Sequence, residues 1–491
     1  MAISNLIHQQ TTTTGTGPYT LTSVNGRQTF NNAFGNGSAT NRFPVFMQNQ
    51  AAAEWMHAKG HLSAANTLVI DTVKGGSNGT SAVSFSAGTI DVTSAVPAEH
   101  LSSATVNIEA FGAIPDGTTA CDTAFAAAYA WLGSSGGVIE FGPGDYLFGS
   151  RIAITLPNSR YCLGLKGAGS NLTRLVWSIS SGGISLTQGN AHNSFRVEGF
   201  SIVTKAANGG TGFEAKGKTQ VASEPSLLCD VVFAPDDYAV NTTGSHYWSI
   251  CIHLQGWGNI SFYHCYTYGQ WKVPTNSVTS ALGQGIRIEG DATMTGSGSG
   301  YITIINFFDC SFSYHDYAVV LGDYWQGITF NTCNFNGQIG TSGIFQSGST
   351  SGVLALLCCI GCQFNTGGSQ IDLSNAGVNN LVLNGNTIGA YNTSTVGAAI
   401  GPGLNATIVG NFFLNYGSNT GIVGASGSGS GHVITGNMFK GLNTGVVAAS
   451  GSSGWVVGLN KYPSTTTKTV DSGSANSFGT AAAGAMTGVV P

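Results

Sequence analysis

Between residues 285 and 325 the chain concentrates side chains that could act on a ligand. In GIRIEGDATMTG (285–296), Ile286 and Ile288 alternate with Arg287 and Glu289. A strand there turns the isoleucines inward and Arg287, Glu289 and Asp291 outward. Glu289 and Asp291 would then stand roughly 6.6–7 Å apart at Cα on one face, so that their carboxyls suit either spacing used in glycosidic hydrolysis. Asp309, His315, Asp316 and Asp323 follow, and Glu289, Asp291, Asp309 and Asp316 are the candidate catalytic acids. Trp248, Trp257, Trp271, Tyr317, Tyr324 and Trp325 lie in the same part of the chain. With Asp323 they are the candidate glycan-binding residues, because aromatic faces stack on sugar rings while carboxylates accept from hydroxyls. A plainer reading stands beside this one. Outward acids next to Arg287 make a solvated face whose ion pairs contribute little, and the tryptophans fill a core or a subunit interface. Asp236-Asp237 reads as a turn, since adjacent strand residues face opposite ways, and His264 reads as structural.

No metal or cofactor is expected. Cys358, Cys359 and Cys362 form C-C-x-x-C, but no His or second close Cys pair completes a zinc set. They read as small core residues.

The elements that must carry these residues repeat. Cys310, Cys333, Cys362, Asn386, Asn411, Asn437 and Asn460 each stand two residues before an aromatic or aliphatic one, with a polar residue between at five of the seven, at intervals of 23, 29, 24, 25, 26 and 23 residues. Cys265 is an earlier copy of the marker, and GFSI (199–202) an earlier one still. A period near 25 with strand-type residues and little helix signal predicts a solenoid of three-strand β coils stacked at about 4.8 Å. The markers should form a ladder, Cys on Cys and Asn on Asn. A helix is expected within 119–135, with Asp122 as its N-cap. Strands are expected at Tyr19–Val24, Thr67–Val73, Ala82–Ser86 and Thr89–Ser94, with turns at Asn25-Gly26 and Asn78-Gly79. The Val45–His61 segment suits either a helix or a hairpin, and Val96-Pro97-Ala98 closes the first domain. The resulting division is 1–104, a small antiparallel β domain; 105–462, a β-helix; and 463–491, a low-complexity tail.

Composition bounds the function. The chain of 491 residues is 42% hydrophobic but only 8% charged, against about 25% in an ordinary domain. Its 25 Phe, 16 Tyr and 8 Trp exclude a disordered chain. The net charge of −5 without a basic run disfavours nucleic acid. No stretch approaches a membrane span, and the N-terminus lacks a signal-peptide pattern, which predicts synthesis in the cytoplasm.

Residues 106–177 resemble the opening of pectate-lyase-like, right-handed parallel β-helices of phage tailspikes. FGAIPDG, the helix near Asp122, GGVIEFGPGDYLF and LGLKGAGSNLTRLVW carry the resemblance. TTTTGTGPYTLTSVNGRQTF and residues 63–92 are similar to virion-anchor domains of phage tail fibres. The resemblance implies an all-β homotrimer on the virion tail. Residues 1–104 would dock on a tail, baseplate or adaptor protein, and the shaft would recognise host polysaccharide or lipopolysaccharide. It also leaves open a depolymerase of the same fold, glycosidase rather than lyase, or a cellular pectate-lyase-like enzyme. Two departures matter. Only Asp122 remains of the acid pair often found before the helix, and neither the G-H-G nor the R-I-K motif of polygalacturonases is present. After Asp323 the only acids are Asp372 and Asp471, so function is expected at 245–325.

Overall fold

The structure, a computed structural model, describes residues 7–36, 42–49, 51–94, 105–134, 136–217, 224–236, 246–270, 283–291, 301–337, 342–347, 355–366, 368–374, 380–390, 396–401, 405–415, 419–424 and 431–479. Trp271, Val96-Pro97-Ala98 and Asp237 lie outside the described residues. The chain divides into two compact units, residues 1–103 and 104–491.

In the first unit, alternation of buried and exposed residues builds a seven-stranded antiparallel sheet. The ambiguous 45–61 segment is a hairpin: Phe43–Asn49 pairs with Glu54–Ala64, Asn49 opposite Glu54. Its alanines lie at the turn, where Ala53 has φ +52°, and the buried faces of both strands decide the structure over alanine's helix propensity. Val45, Met47, Met56, Ala58 and Leu62 point into the core. Thr67–Gly76 and Ile90–Thr93 form as strands, whereas 82–86 makes only an isolated bridge through Phe85 to Gly15. A short helix, Phe30–Phe34, is capped by the Thr29 hydroxyl.

The second unit is a parallel β-helix. One coil shows the plan: Ile302–Phe308, Ser311–Ser313 and Tyr317–Leu321 are its first, second and third strands. Each pairs in parallel with its counterpart one coil on, at Trp325–Asn331, Asn334–Asn336 and Ser342–Gln346. The first and second strands join across a two-residue corner into a 24-stranded sheet, and the third strands form a 12-stranded sheet. The helix Asp122–Leu132 packs Phe125 against Phe141 and Phe148 at the first coils. Asp122 is not its N-cap. Cys121 holds that position, and the Asp122 carboxylate instead accepts from the backbone N–H groups of Gly149 and Ser150. The coils also run past residue 462: Thr467–Asp471 pairs with Thr444–Ala448. The segment expected to be tail thus contributes another strand, because a solenoid end offers unpaired backbone groups that even a Ser/Thr-rich chain can satisfy.

The marker ladder forms. Cys310, Cys333 and Cys362 are buried. The backbone N–H of Cys362 donates to Asn386 Oδ1 at 2.8 Å, and the side-chain amides pass the pattern on from Asn386 to Asn411 (2.8 Å), Asn437 (3.0 Å) and Asn460 (3.1 Å). Two residues after the marker, a ring enters the core, and Phe312, Phe335 and Phe364 stack at 5.2 and 4.4 Å. The third strands make room for it. A Cβ on Gly397, Gly421 or Gly445 would lie 2.5–2.8 Å from the ring of Phe413, Phe439 or Tyr462 on the following coil.

Candidate functional site

The predicted residues divide into buried and surface groups. Ile286 and Ile288 are fully buried, and Arg287 and Glu289 point outward, as the alternation requires. The strand ends at Glu289, however, and Gly290 donates to the Asp323 carbonyl on the next coil. Asp291 therefore stands in the turn beyond the strand and not in strand register with Glu289. Asp309 occupies the corner between first and second strands, and Asp316 the corner between second and third. The four candidate acids are thus spread over one strand end and three corners. His315 is buried, bonded to the Thr267 hydroxyl at 2.9 Å, and burial pushes its pKa down to about 3.

Trp248, Trp257 and Trp325 are wholly buried, so they fill the core and present no face to a sugar. All three lie outside or at the very start of strands, where period-two alternation says nothing about direction. Tyr317 is half-buried against Phe345, and Tyr324, at φ +57°, lies 5.5 Å from Tyr301. Asp323 is exposed.

Glu289 belongs to an ion-pair ladder over the third-strand sheet. His253 lies between two carboxylates on adjacent coils, with Nδ1 3.3 Å from Glu214 and Nε2 2.9 Å from Glu289. Arg151 pairs with Glu214, and Arg287 with Glu289 at 2.7 Å. Burial opposes ionisation of both glutamates, but the hydrogen bonds from His253 and the arginine charges outweigh it and hold each at about 2. Burial likewise opposes the charge on His253, and the two carboxylates raise its pKa nonetheless. Glu289 therefore carries no proton to donate near neutral pH, and it knits coils together.

A concavity lies upstream of the predicted stretch. A depression of about 600 Å³ runs over the second strands, lined by Ser170, Arg174, Ser201, Asp236, Tyr266 and Tyr268. Ser170 and Asn171, on the turn 168–172, separate it from a second depression of about 540 Å³ that reaches Cys229 and Asp230. The turn is held by Thr173, whose hydroxyl accepts from Ala168 N–H at 2.9 Å and donates to the Gly142 carbonyl at 2.8 Å. Arg174 donates to Asp145 at 2.9 Å and to Asp236 at 2.6 Å, a half-exposed cation between two carboxylates. The trough is open, its polar residues interleaved with Val203, Val232, Ala234 and Pro235, and Tyr266 and Tyr268 stand on its last coil.

At the corner beside it, Asp230, His264, Asp309 and Thr332 succeed one another on adjacent coils. His264 Nδ1 is 3.4 Å from Asp230 and Nε2 3.7 Å from Asp309, and the Thr332 hydroxyl donates to Asp309. Tyr263 and Tyr266, on either side of His264, are exposed, and Tyr263 stacks on Phe308 at 4.8 Å. Of these only Asp309 is legible as a candidate from its residue type. The alternation of NISFYHCYTY (259–268), with Ile260, Phe262 and Thr267 buried, could have placed Tyr263 and Tyr266 outside. Among the described residues no group of three or more His, Cys, Asp or Glu is arranged to hold a metal ion. Burial raises the thiol pKa of Cys265, Cys333 and Cys359. No described helix is long and apolar enough to cross a membrane.

No protein-family model and no curated protein matches the sequence. The fold is a parallel β-helix of the kind found in phage tailspike proteins. It is similar to tailspike protein 3 of bacteriophage CBA120, with TM-score 0.51 and 16% identity over 75% of this chain and 61% of that one. This chain thus spans about three-fifths of that protein's length. The Dettilon tailspike protein aligns with TM-score 0.43 and 13% identity over 74% of this chain and 69% of its own. The catalytic unit of a GH87 α-1,3-glucanase from Streptomyces thermodiastaticus aligns with TM-score 0.43 and 13% identity over 90% of this chain and 86% of its own.

Proposed function

We propose that this chain is a phage tailspike or tail fibre that binds a host cell-surface glycan. The observation that carries the reading is the trough along the second strands, an open groove of mixed polar and apolar lining with tyrosines and paired charges on a parallel β-helix. Arg174, Asp145 and Asp236 offer donors and acceptors to hydroxyls, and Tyr266 and Tyr268 offer apolar ring surface. Residues 1–104 are assigned to docking on the virion tail, and the working assembly to a homotrimer. The outward row Cys358, Val382, Thr407, Val433 and Val456 supports self-association, since it is uncharged and largely apolar over five coils.

A depolymerase of the same fold is the second reading, favoured by the exposed imidazole and carboxylate of His264 and Asp309 on one edge. One experiment separates the two. Purified protein is incubated with the host's surface polysaccharide, and both binding and chain length are measured. Adhesion predicts binding that Arg174→Ala weakens, with no new reducing or unsaturated ends. Shortened polymer would replace adhesion with depolymerisation, and absence of binding would remove the adhesion reading.

A further inference from the structure

The corner between first and second strands repeats one backbone solution: the residue before each marker is left-handed. At Gly199, Gly361, Gly385, Gly410 and Gly436, φ is +62° to +74°, and glycine adopts this freely. Asp230, His264, Asp309 and Thr332 hold the same conformation at φ +50° to +53°. Asp and His tolerate it better than most residues, but a β-branched Thr is an outlier there. Glycine would serve the fold at these four coils as it does at five others. What the chain has instead is a linked row of polar side chains, with Asp230, His264 and Asp309 each more than half exposed at 58%, 55% and 57%. Leu459 holds the same conformation at φ +54° but belongs to no polar row, so it is the coincidence of left-handed backbone with a linked, exposed polar row that points to a functional position.

We infer that this row, Asp230–His264–Asp309–Thr332 with Tyr263 and Tyr266 beside it, is the principal contact for an uncharged glycan lying across the corner. The inference rests on the glycan-adhesion reading above and names both the residues and the ligand class. Carboxylates only accept hydrogen bonds, so the partner must donate, as vicinal sugar hydroxyls do. Tyr263 and Tyr266, each 38% exposed, offer ring area on the two sides of the turn. The row carries two Asp against one His, so it remains net negative whichever form the imidazole takes. Nearby cations are already engaged: Arg174 by Asp145 and Asp236, Arg196 by Glu198, and Lys166 by Glu140. A uronate, sulfate or phosphate polymer would meet uncompensated carboxylates.

Glycine substitution separates function from folding here, because it imports the solution the chain uses at its other corners. Asp230→Gly and Asp309→Gly are compared with Leu459→Gly, a left-handed corner residue of a late coil outside the row. Binding is measured to an array of neutral hexose oligosaccharides and uronate-containing oligosaccharides, and thermal midpoints are recorded alongside. The wild type should prefer neutral members by about tenfold or more. Asp230→Gly and Asp309→Gly should keep the wild-type midpoint or exceed it, yet lose about tenfold in affinity. Leu459→Gly should bind as wild type. Preferred binding of uronates, or unchanged affinity in both Asp variants, overturns the assignment while leaving glycan adhesion standing. A wild type that binds no glycan removes the adhesion reading and this inference with it.

Discussion

Asn411 is the place to test whether the asparagine ladder holds the coils together. Its amide nitrogen donates to the Leu383 carbonyl at 2.9 Å, the Val409 carbonyl at 3.1 Å and Asn437 Oδ1 at 3.0 Å. Its Oδ1 accepts from the backbone and side-chain nitrogens of Asn386 at 2.9 and 2.8 Å. Asn411→Ala strands the Asn386 backbone N–H in a buried column and takes from the Leu383 carbonyl its side-chain donor. Asn386 Nδ2 keeps its bond to Cys359, and Asn437 Oδ1 keeps the Asn411 N–H. One orphaned buried N–H at about 1–3 kcal/mol and one lost hydrogen bond at about 0.5–1.5 kcal/mol put the loss at about 1.5–4.5 kcal/mol. Asn411→Cys should lose less, because the earlier coils place cysteine in this column and a thiol can still reach a carbonyl, as Cys362 reaches Phe330 at 3.4 Å. Denaturant unfolding gives the global change. Hydrogen exchange should show lost protection at the neighbouring coils first, because a solenoid transmits strain only to its neighbours. A change within about 0.5 kcal/mol of wild type for Asn411→Ala would refute the reasoning.

The Glu214–His253–Glu289 ladder predicts a stability maximum in mildly acidic solution. Glu214 and Glu289 are held at about 2 against 4.5 unfolded, so their contribution is full above 4.5 and lost as pH falls toward 2. His253 is raised above 6.5, so its contribution is full below 6.5 and lost as pH rises through the folded value. Thermal midpoints from pH 2 to 9 should show both limbs, and a His253→Gln protein with an unaltered alkaline limb would sink this account. Gly421→Ala should cost about 1–3 kcal/mol by pressing on the Phe439 ring, and Phe439→Leu should recover part of it in the double variant. Simple additivity would show that the ring and the glycine are not coupled. Trp325→Phe should lower stability by about 1–3 kcal/mol while leaving glycan affinity within about twofold, since the indole is wholly buried. A large loss of affinity at an unchanged thermal midpoint would return Trp325 to the binding surface.

The solenoid was legible because its signals are local and repeated. The 23–29-residue markers identify one corner of each coil, and the alternation through Ile286, Arg287, Ile288 and Glu289 sets inside from outside. The site was less legible for a physical reason. Alternation stops at corners, so Trp248, Trp257 and Trp325 carried no sign of direction and turned out buried. Glu289 looked like a catalytic acid because its partners His253 and Glu214 are 36 and 75 positions away and meet it only when coils stack. Arg174 joins Asp145 and Asp236 through the same long-range register. The Ala51–Ala53 run shows the opposite failure, a local helix preference overridden by a hairpin whose two faces had a core to fill.

The corners of the coil differ in how freely they vary in length. From 264–265 onward the one between first and second strands keeps two residues, as at 309–310, and its second residue enters the ladder. The one between second and third strands ranges from two residues at 367–368 to fifteen at 269–283. The one between third and first ranges from three at 322–324 to twelve at 290–301. Insertion at these two corners is compatible with an unbroken spine. A lineage carrying this fold can therefore exchange the loops beside the trough in a single genetic step, while the spine beneath is inherited unaltered.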